Sequence, residues 1–166
     1  MIGLFRRRSM TFGTAESRLF DQDTFYKTFL RDLHYCRDEV IIESPFITRK
    51  RVVEILPVLR KLKRRSVRVV INTRHPDEHD EPFASQARSA IMELMDFGIR
   101  VLYTGGHHRK LAIIDKEVIW EGSLNILSYS DSCEIMRRIA SPEMAEELIR
   151  FLRLNKYLGK VPDERF

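Results

Sequence analysis

The sequence predicts an α/β fold, an α/β/α sandwich around a central mixed sheet, and the order of its apolar patterns is what predicts it. Helical periodicity and short apolar runs alternate through the first part of the chain. A closely spaced group of strands and one closing helix follow. Runs of consecutive apolar residues imply strands covered on both faces, and a mixed sheet with helices on both sides is the simplest way to bury the set. The chain has 166 residues, 43% of them hydrophobic, enough for one domain with a sizeable core.

Residues 1–17 lack periodicity and are expected to form a loose leader ahead of a domain over 18–158, with 159–166 as a tail. Phe25, Phe29, Leu30 and Leu33 recur at helical spacing behind Asp21 or Asp23, either of which can cap. A strand is expected over 39–44, where Val40, Ile41 and Ile42 are consecutive and Pro45 stops the ladder. Thr48 can cap a helix carrying Val52, Val53, Ile55 and Leu56, which Pro57 is expected to kink or to divide from a segment with Leu59 and Leu62. The next strand falls over 67–73. After a polar loop over 74–82, Ala87, Ile91, Leu94 and Met95 line a helix that Gly98 can end. Strands follow over 99–103, 111–114, 118–120 and 134–140, the middle pair joined by a hairpin at 115–117. Ser141 and Pro142 then supply the cap and first position of a helix with Ala145, Leu148, Ile149 and Leu152.

The formal net charge is +5 and the pI is near 9.4, which favours a polyanionic partner. The excess is clustered at Arg6 to Arg8, at Arg49, Lys50 and Arg51, and between Arg60 and Arg68, with an acidic stretch over 77–81 between it and the rest. Such clusters track phosphates or form a solvated helix face. No apolar run has the length of a membrane span, and no signal-peptide pattern opens the chain. Cys36 and Cys133, each among apolar neighbours, read as reduced, buried thiols of a cytoplasmic protein.

The chemistry concentrates in one run: His108-Arg109-Lys110, then Asp115, then Gly122-Ser123-Leu124-Asn125. Residues two apart on an extended chain share a face, so His108 and Lys110 can face one pocket. Lys110 offers a charge for phosphate oxygens. Ser123 and Asn125 add neutral donors without a carboxylate that would repel an anion. An imidazole can attack or donate a proton near neutral pH, and a phosphodiester needs its oxygens neutralised, a nucleophile positioned and the leaving oxygen protonated.

The run matches the H-x-K-x4-D-x6-G-S-x-N signature at every defined position and resembles the phospholipase D superfamily. The resemblance extends to 41–46 and to 128–138, which includes Glu134, and covers nearly the whole chain. It implies a phospholipase D-like fold and a metal-independent phosphodiesterase without a cofactor. In that family one motif histidine attacks phosphorus to give a phosphohistidine, a second motif histidine protonates the leaving group, and water completes hydrolysis. By resemblance His108 is the nucleophile, Lys110, Ser123 and Asn125 complete the catalytic set, and Glu134 orients the histidine. Asp115 and Gly122 belong to the motif as structural residues.

No other histidine, among His34, His75, His79 and His107, is followed two places later by Lys, so one chain holds half a site. Single-motif members pair two chains, and a homodimer with a composite site is expected here. His107 reads as a loop residue. His75 and His79, with Pro76 between them, read as a loop rather than a zinc site. A serine hydrolase is disfavoured because the G-x-S-x-G elbow is absent. Size and charge favour nucleic acid as substrate, DNA before RNA, with Arg49, Lys50, Arg51 and Arg109 as candidate backbone contacts. The alternatives are a phospholipid hydrolase or transferase, and a nucleic-acid-binding module of a larger DNA-processing machine.

Overall fold

The computed structural model describes residues 15–129 and 131–158. Residues 1–14 of the expected leader and the tail over 159–166 lie outside the described residues. Among the described residues seven strands form one sheet: β1 (Glu16–Asp21), β2 (Glu39–Glu43), β3 (Arg68–Thr73), β4 (Arg100–Tyr103), β5 (Leu111–Ile114), β6 (Val118–Gly122) and β7 (Ile135–Ala140). The helices are α1 (Phe25–Tyr35), α2 (Arg49–Arg64), α3 (Phe83–Asp96), α4 (Pro142–Phe151) and the short α5 (Asn155–Leu158). The spatial order is β1-β7-β6-β5-β2-β3-β4, with β2, β3 and β4 parallel and the remaining pairings antiparallel. The sheet is therefore mixed, as the alternation followed by closely spaced strands predicts.

The two faces are read off successive residues of β2. Val40 and Ile42 join Val69, Ile71, Ala112 and Ile114 under α1, α2 and α3. Ile41 joins Leu111, Ile113, Ile119 and Ile139 under Ala145 and Ile149 of α4. Period-two side-chain direction sends consecutive apolar residues to opposite cores. Trp120, fully buried, packs edge-on against Phe25 and Phe29 and donates its indole N–H to Asp32 at 2.9 Å.

Several local expectations change. Glu16 and Ser17, placed in the leader, already pair with Ala140 and Ile139 in β1. That strand carries one buried-side aromatic, Phe20, and its register comes from β7, so no periodicity announces it. Asp21 does not cap α1; its carboxylate accepts from the backbone N–H of Asp23 and Thr24 in the turn before the helix, whose N-cap is Thr24. Pro57 does not divide α2, which runs as one helix through it. The carbonyl that Pro57 leaves without a donor belongs to Val53, and both residues are exposed, so water can satisfy it. Ser141 caps α4 as expected, accepting from Met144 N–H at 3.3 Å. Cys36 is buried, but Cys133 is exposed because it lies in the segment between β6 and β7, outside the ladder.

Two motif residues act on the frame. Asp115 opens the three-residue β5–β6 hairpin loop over 115–117, where it and Lys116 both have positive φ, 52° and 56°, the hand of turn that matches strand twist. Its carboxylate accepts from the backbone N–H of Arg37, Asp38 and Glu39 at 2.8, 2.8 and 3.0 Å, and from the Cys36 thiol. Burial pushes this carboxyl up, but the backbone donors outweigh it and hold it below the usual value. Gly122 leaves no room for a side chain against β7: a Cβ there would stand 2.1 Å from the Ile135 carbonyl oxygen and 2.9 Å from Met136 Cα. Both obstacles are backbone, so Gly122→Ala is expected to destabilise the fold by about 3 kcal/mol, the upper end for overpacking, measured as a fall in urea midpoint at constant m-value.

Candidate active site

The strand β4 ends at Tyr103, and the chain returns to β5 through a turn in which Gly106 takes φ +62°. That turn is tied down: Gly106 N–H donates to Glu78 of the short 3-10 turn Pro76–Glu78, and His107 N–H donates to the Thr104 carbonyl. His108 and Lys110 then precede β5 on an approach that is already partly laddered, since the Lys110 carbonyl accepts from Gly122 N–H at 3.3 Å. Over this stretch His108 and Lys110 stand together, and Arg109 also lines part of the same space. His108 and Lys110 reach one open hollow, and Lys110 Nζ lies 3.1 Å from His108 Nδ1. Arg109, between them, runs to Glu43 at the end of β2.

Ser123 enters the same hollow from the end of β6. Its hydroxyl donates to Glu134 Oε2 and accepts from Ile135 N–H at 3.1 Å. Glu134 Oε1 accepts from Ser132 Oγ at 2.6 Å. The resemblance assigns Glu134 to the histidine, but within one chain its carboxylate meets these two serines. Its charge is felt at Lys110, whose ammonium is pushed below its ordinary value by partial burial, with Glu134 opposing. Asn125 lines an adjoining hollow together with Glu134, and the Ser123–Glu134 hydrogen bond joins the two spaces.

Behind His108 lies a buried polar network that sequence reading missed. Glu43, 0% exposed, accepts from Arg109 Nε and Nη2 and from Asn72 Nδ2 at 2.9 Å, and Asn72 accepts from Thr104 at 3.0 Å. Burial pushes the Glu43 carboxyl up, but the Arg109 and Asn72 hydrogen bonds and the nearby positive charges hold it below its usual range. His107 stands beside it, in a loop as expected yet buried, and neither ring nitrogen has a partner among the described residues. Burial lowers the proton affinity of this imidazole. The signal in the sequence was the lone carboxylate ending the apolar run Val40-Ile41-Ile42-Glu43, since such a residue stays in a covered strand only when paired.

The remaining candidates separate. Arg49 and Lys50 are exposed on the first turn of α2, with Lys50 Nζ 3.4 Å from the centre of the Tyr129 ring. Arg51 pairs with Glu54 and lays its guanidinium 3.5 Å from the centre of the Tyr26 ring. Arg109 is held by Glu43. His75 accepts from Asp77 N–H in the 3-10 turn, and His79 packs on Phe46.

The comparisons agree with this frame. The family model described as "Cardiolipin synthase, PLD-like domain" matches residues 29–154. Among solved structures, the chain is similar to Nuc from Salmonella typhimurium, a phospholipase D family member, at 16% identity over 84% of this chain and 92% of that one, with a TM-score of 0.69. It is similar to NucT from Helicobacter pylori at 18% identity, covering 84% and 94% of the two chains, with a TM-score of 0.65. It also resembles TrmBL2, an archaeal chromatin protein described for its mode of DNA binding, at 14% identity, covering 85% and 52%, with a TM-score of 0.54. No curated protein sequence matches the chain.

Proposed function

We propose that this chain, which belongs to the phospholipase D-like family, is a metal-independent nuclease that cleaves nucleic acid, DNA before RNA, in a site completed by a second copy of itself. The observation that carries the reading is the convergence of His108, Lys110 and Ser123 on one hollow. Lys110 draws the anionic oxygens of a phosphodiester into that hollow, and Ser123 adds a neutral donor. An unprotonated ring nitrogen of His108 forms a bond to phosphorus as the bond to the leaving oxygen breaks, and the partner's His108 gives that oxygen its proton. Water then attacks phosphorus, the same partner imidazole takes its proton, and the N–P bond breaks to release phosphate monoester and free enzyme.

The face that presents His108 supports the need for a second chain. Leu19 and Ile135, 57% and 53% exposed, stand in the same hollow as His108. Apolar side chains beside a polar site suit a surface that is covered in use. The net charge of +5 and the TrmBL2 likeness support nucleic acid. The description of the matching family model supports phospholipid instead, although among the described residues no helix is long and apolar enough to cross a membrane. A cytoplasmic setting suits two cysteines that are both unpaired.

The test uses labelled single- and double-stranded oligonucleotides in excess EDTA, with anionic phospholipid vesicles in parallel. Cleavage of the oligonucleotides in EDTA is expected, by a species that sediments as a dimer. Cleavage that requires a divalent metal overturns the mechanism. Activity in a stable monomer overturns the composite site. Turnover of the vesicles alone reassigns the substrate, and salt-dependent DNA binding without cleavage makes the chain a binding module.

A further inference from the structure

We infer that the hollow beside the reactive one holds a single unpaired nucleobase of the substrate strand, and that the base is selected by its amino group. This rests on the phosphodiesterase reading above and extends it to what lies next to the phosphate. The space has a volume of ≈ 230 Å³ and is walled by Tyr26, Arg51, Asn125, Tyr129, Asp131 and Glu134. It is smaller than the roughly 300–1,000 Å³ of sites that take drug-sized ligands, and suits one ring system rather than an acyl chain.

Two of its wall groups are unsatisfied. Arg51 Nε–H and Asn125 Oδ1 are buried, and neither has a hydrogen-bond partner among the described residues. A buried donor or acceptor without a partner is uncommon in folded proteins and costly to keep. Both residues line the hollow, and an unpaired donor and acceptor at its wall complement a ligand edge that presents an acceptor beside a donor, as every nucleobase edge does; the wall carboxylates then separate the amino bases from thymine and uracil.

The charge of the walls says what the occupant is not. Asp131 and Glu134 carry negative charge into the space, so a second phosphate is repelled and the backbone stays with Lys110 and His108. An exocyclic amino group is welcomed by the same carboxylates. Thymine and uracil have no amino group to offer them. A cationic lipid headgroup would use the tyrosine faces, but those rings already hold cations, Arg51 at Tyr26 and Lys50 at Tyr129. Tyr26 and Tyr129 line the hollow, and an aromatic ring that already carries a cation favours a neutral heterocycle over a second cation. Watson–Crick edges are occupied in a duplex, so the base must be unpaired. The Ser123–Glu134 hydrogen bond, shared by both hollows, places it adjacent to the scissile phosphate.

The test uses the full chain and short single strands with one cleavable phosphodiester, all other linkages being methylphosphonates. The base on each side of the cleavable bond is varied among adenine, cytosine, thymine and an abasic residue. A base-free diester, bis(p-nitrophenyl) phosphate, is run beside them. On one side of the bond, the abasic substrate is expected to lose about tenfold in kcat/KM against adenine or cytosine, within the range of one lost base contact, with thymine in between. Arg51→Gln is expected to reduce that discrimination towards one, through KM. If the base-free diester is hydrolysed but abasic and adenine strands are cut equally, the base site is wrong and the phosphodiesterase reading stands. If neither strand nor diester is cut, the phosphodiesterase reading fails. Hydrolysis of choline-headgroup vesicles without strand cleavage assigns the hollow to a lipid headgroup.

Discussion

His108→Ala is expected to lower kcat for phosphodiester cleavage by at least about 10³-fold, because on the proposed mechanism it removes the nucleophile and, in a symmetric dimer, the acid of the same reaction. Loss of a nucleophile cannot be offset by tighter binding, so KM should change little while kcat collapses. The fold should survive, since the imidazole is exposed and Lys110 is the one hydrogen-bond partner of its ring among the described residues. Two readouts check the claim: single-turnover rates in EDTA, and protein quenched in alkaline denaturant and tested for an acid-labile, base-stable phosphoryl group. Wild type is expected to retain that label and His108→Ala to lack it. Mixing His108→Ala with an inactive Lys110→Ala chain extends the test. Recovery of no activity in the mixed dimer fits a site drawing on both copies of each residue, whereas cleavage by His108→Ala alone would remove this histidine from the chemistry.

Glu43→Ala is expected to cost about 3 kcal/mol of stability, the lower end of the roughly 3–5 kcal/mol seen when one partner of a buried ion pair is removed. The lower end applies because Arg109, at 39% exposure, can turn towards water, whereas Asn72 has no such escape. The pH dependence carries the sign of a depressed carboxyl. Held below its ordinary value of 4.5 in the folded chain, Glu43 contributes stability that is present above the unfolded value and lost as pH falls through the folded one. The gap between wild type and variant should therefore be widest near neutrality and should narrow as pH falls below about 4. Urea midpoints from neutral to acid pH measure it. A gap that stays constant would show that Glu43 acts through packing and not through charge. Because Arg109 sits between His108 and Lys110, the Glu43 pair also anchors the backbone of the motif, and Glu43→Gln should retain more activity than Glu43→Ala.

Much of this site was legible before any coordinates. His108 and Lys110 share a face because a two-residue repeat on extended chain permits nothing else, and the hollow they reach follows from that. Asp115 and Gly122 were readable as frame residues only by resemblance. Their physical reasons, three backbone N–H donors on one carboxylate and the lack of room for a Cβ against the Ile135 carbonyl, depend on segments apart in sequence. Glu134 shows the opposite limit. Its place in the site was foreseen, but its partners within one chain, Ser123 and Ser132, follow from how the loop over 131–134 folds back on β6.

The sequence by itself determined the fold class and named the candidate reactive groups. Local periodicity sets which face of each element is apolar, and a short motif sets which side chains converge. It could not announce β1, whose pairing with β7 supplies the order that its own residues lack. Nor could it show the Glu43–Arg109–Asn72 network behind His108 or the unsatisfied Arg51 and Asn125 atoms beside it. The physical reason is common to these cases. Burial and hydrogen-bond satisfaction are properties of pairs distant in the chain, so only the tertiary structure decides which polar groups are paired, which are left open, and where a ligand must supply what is missing.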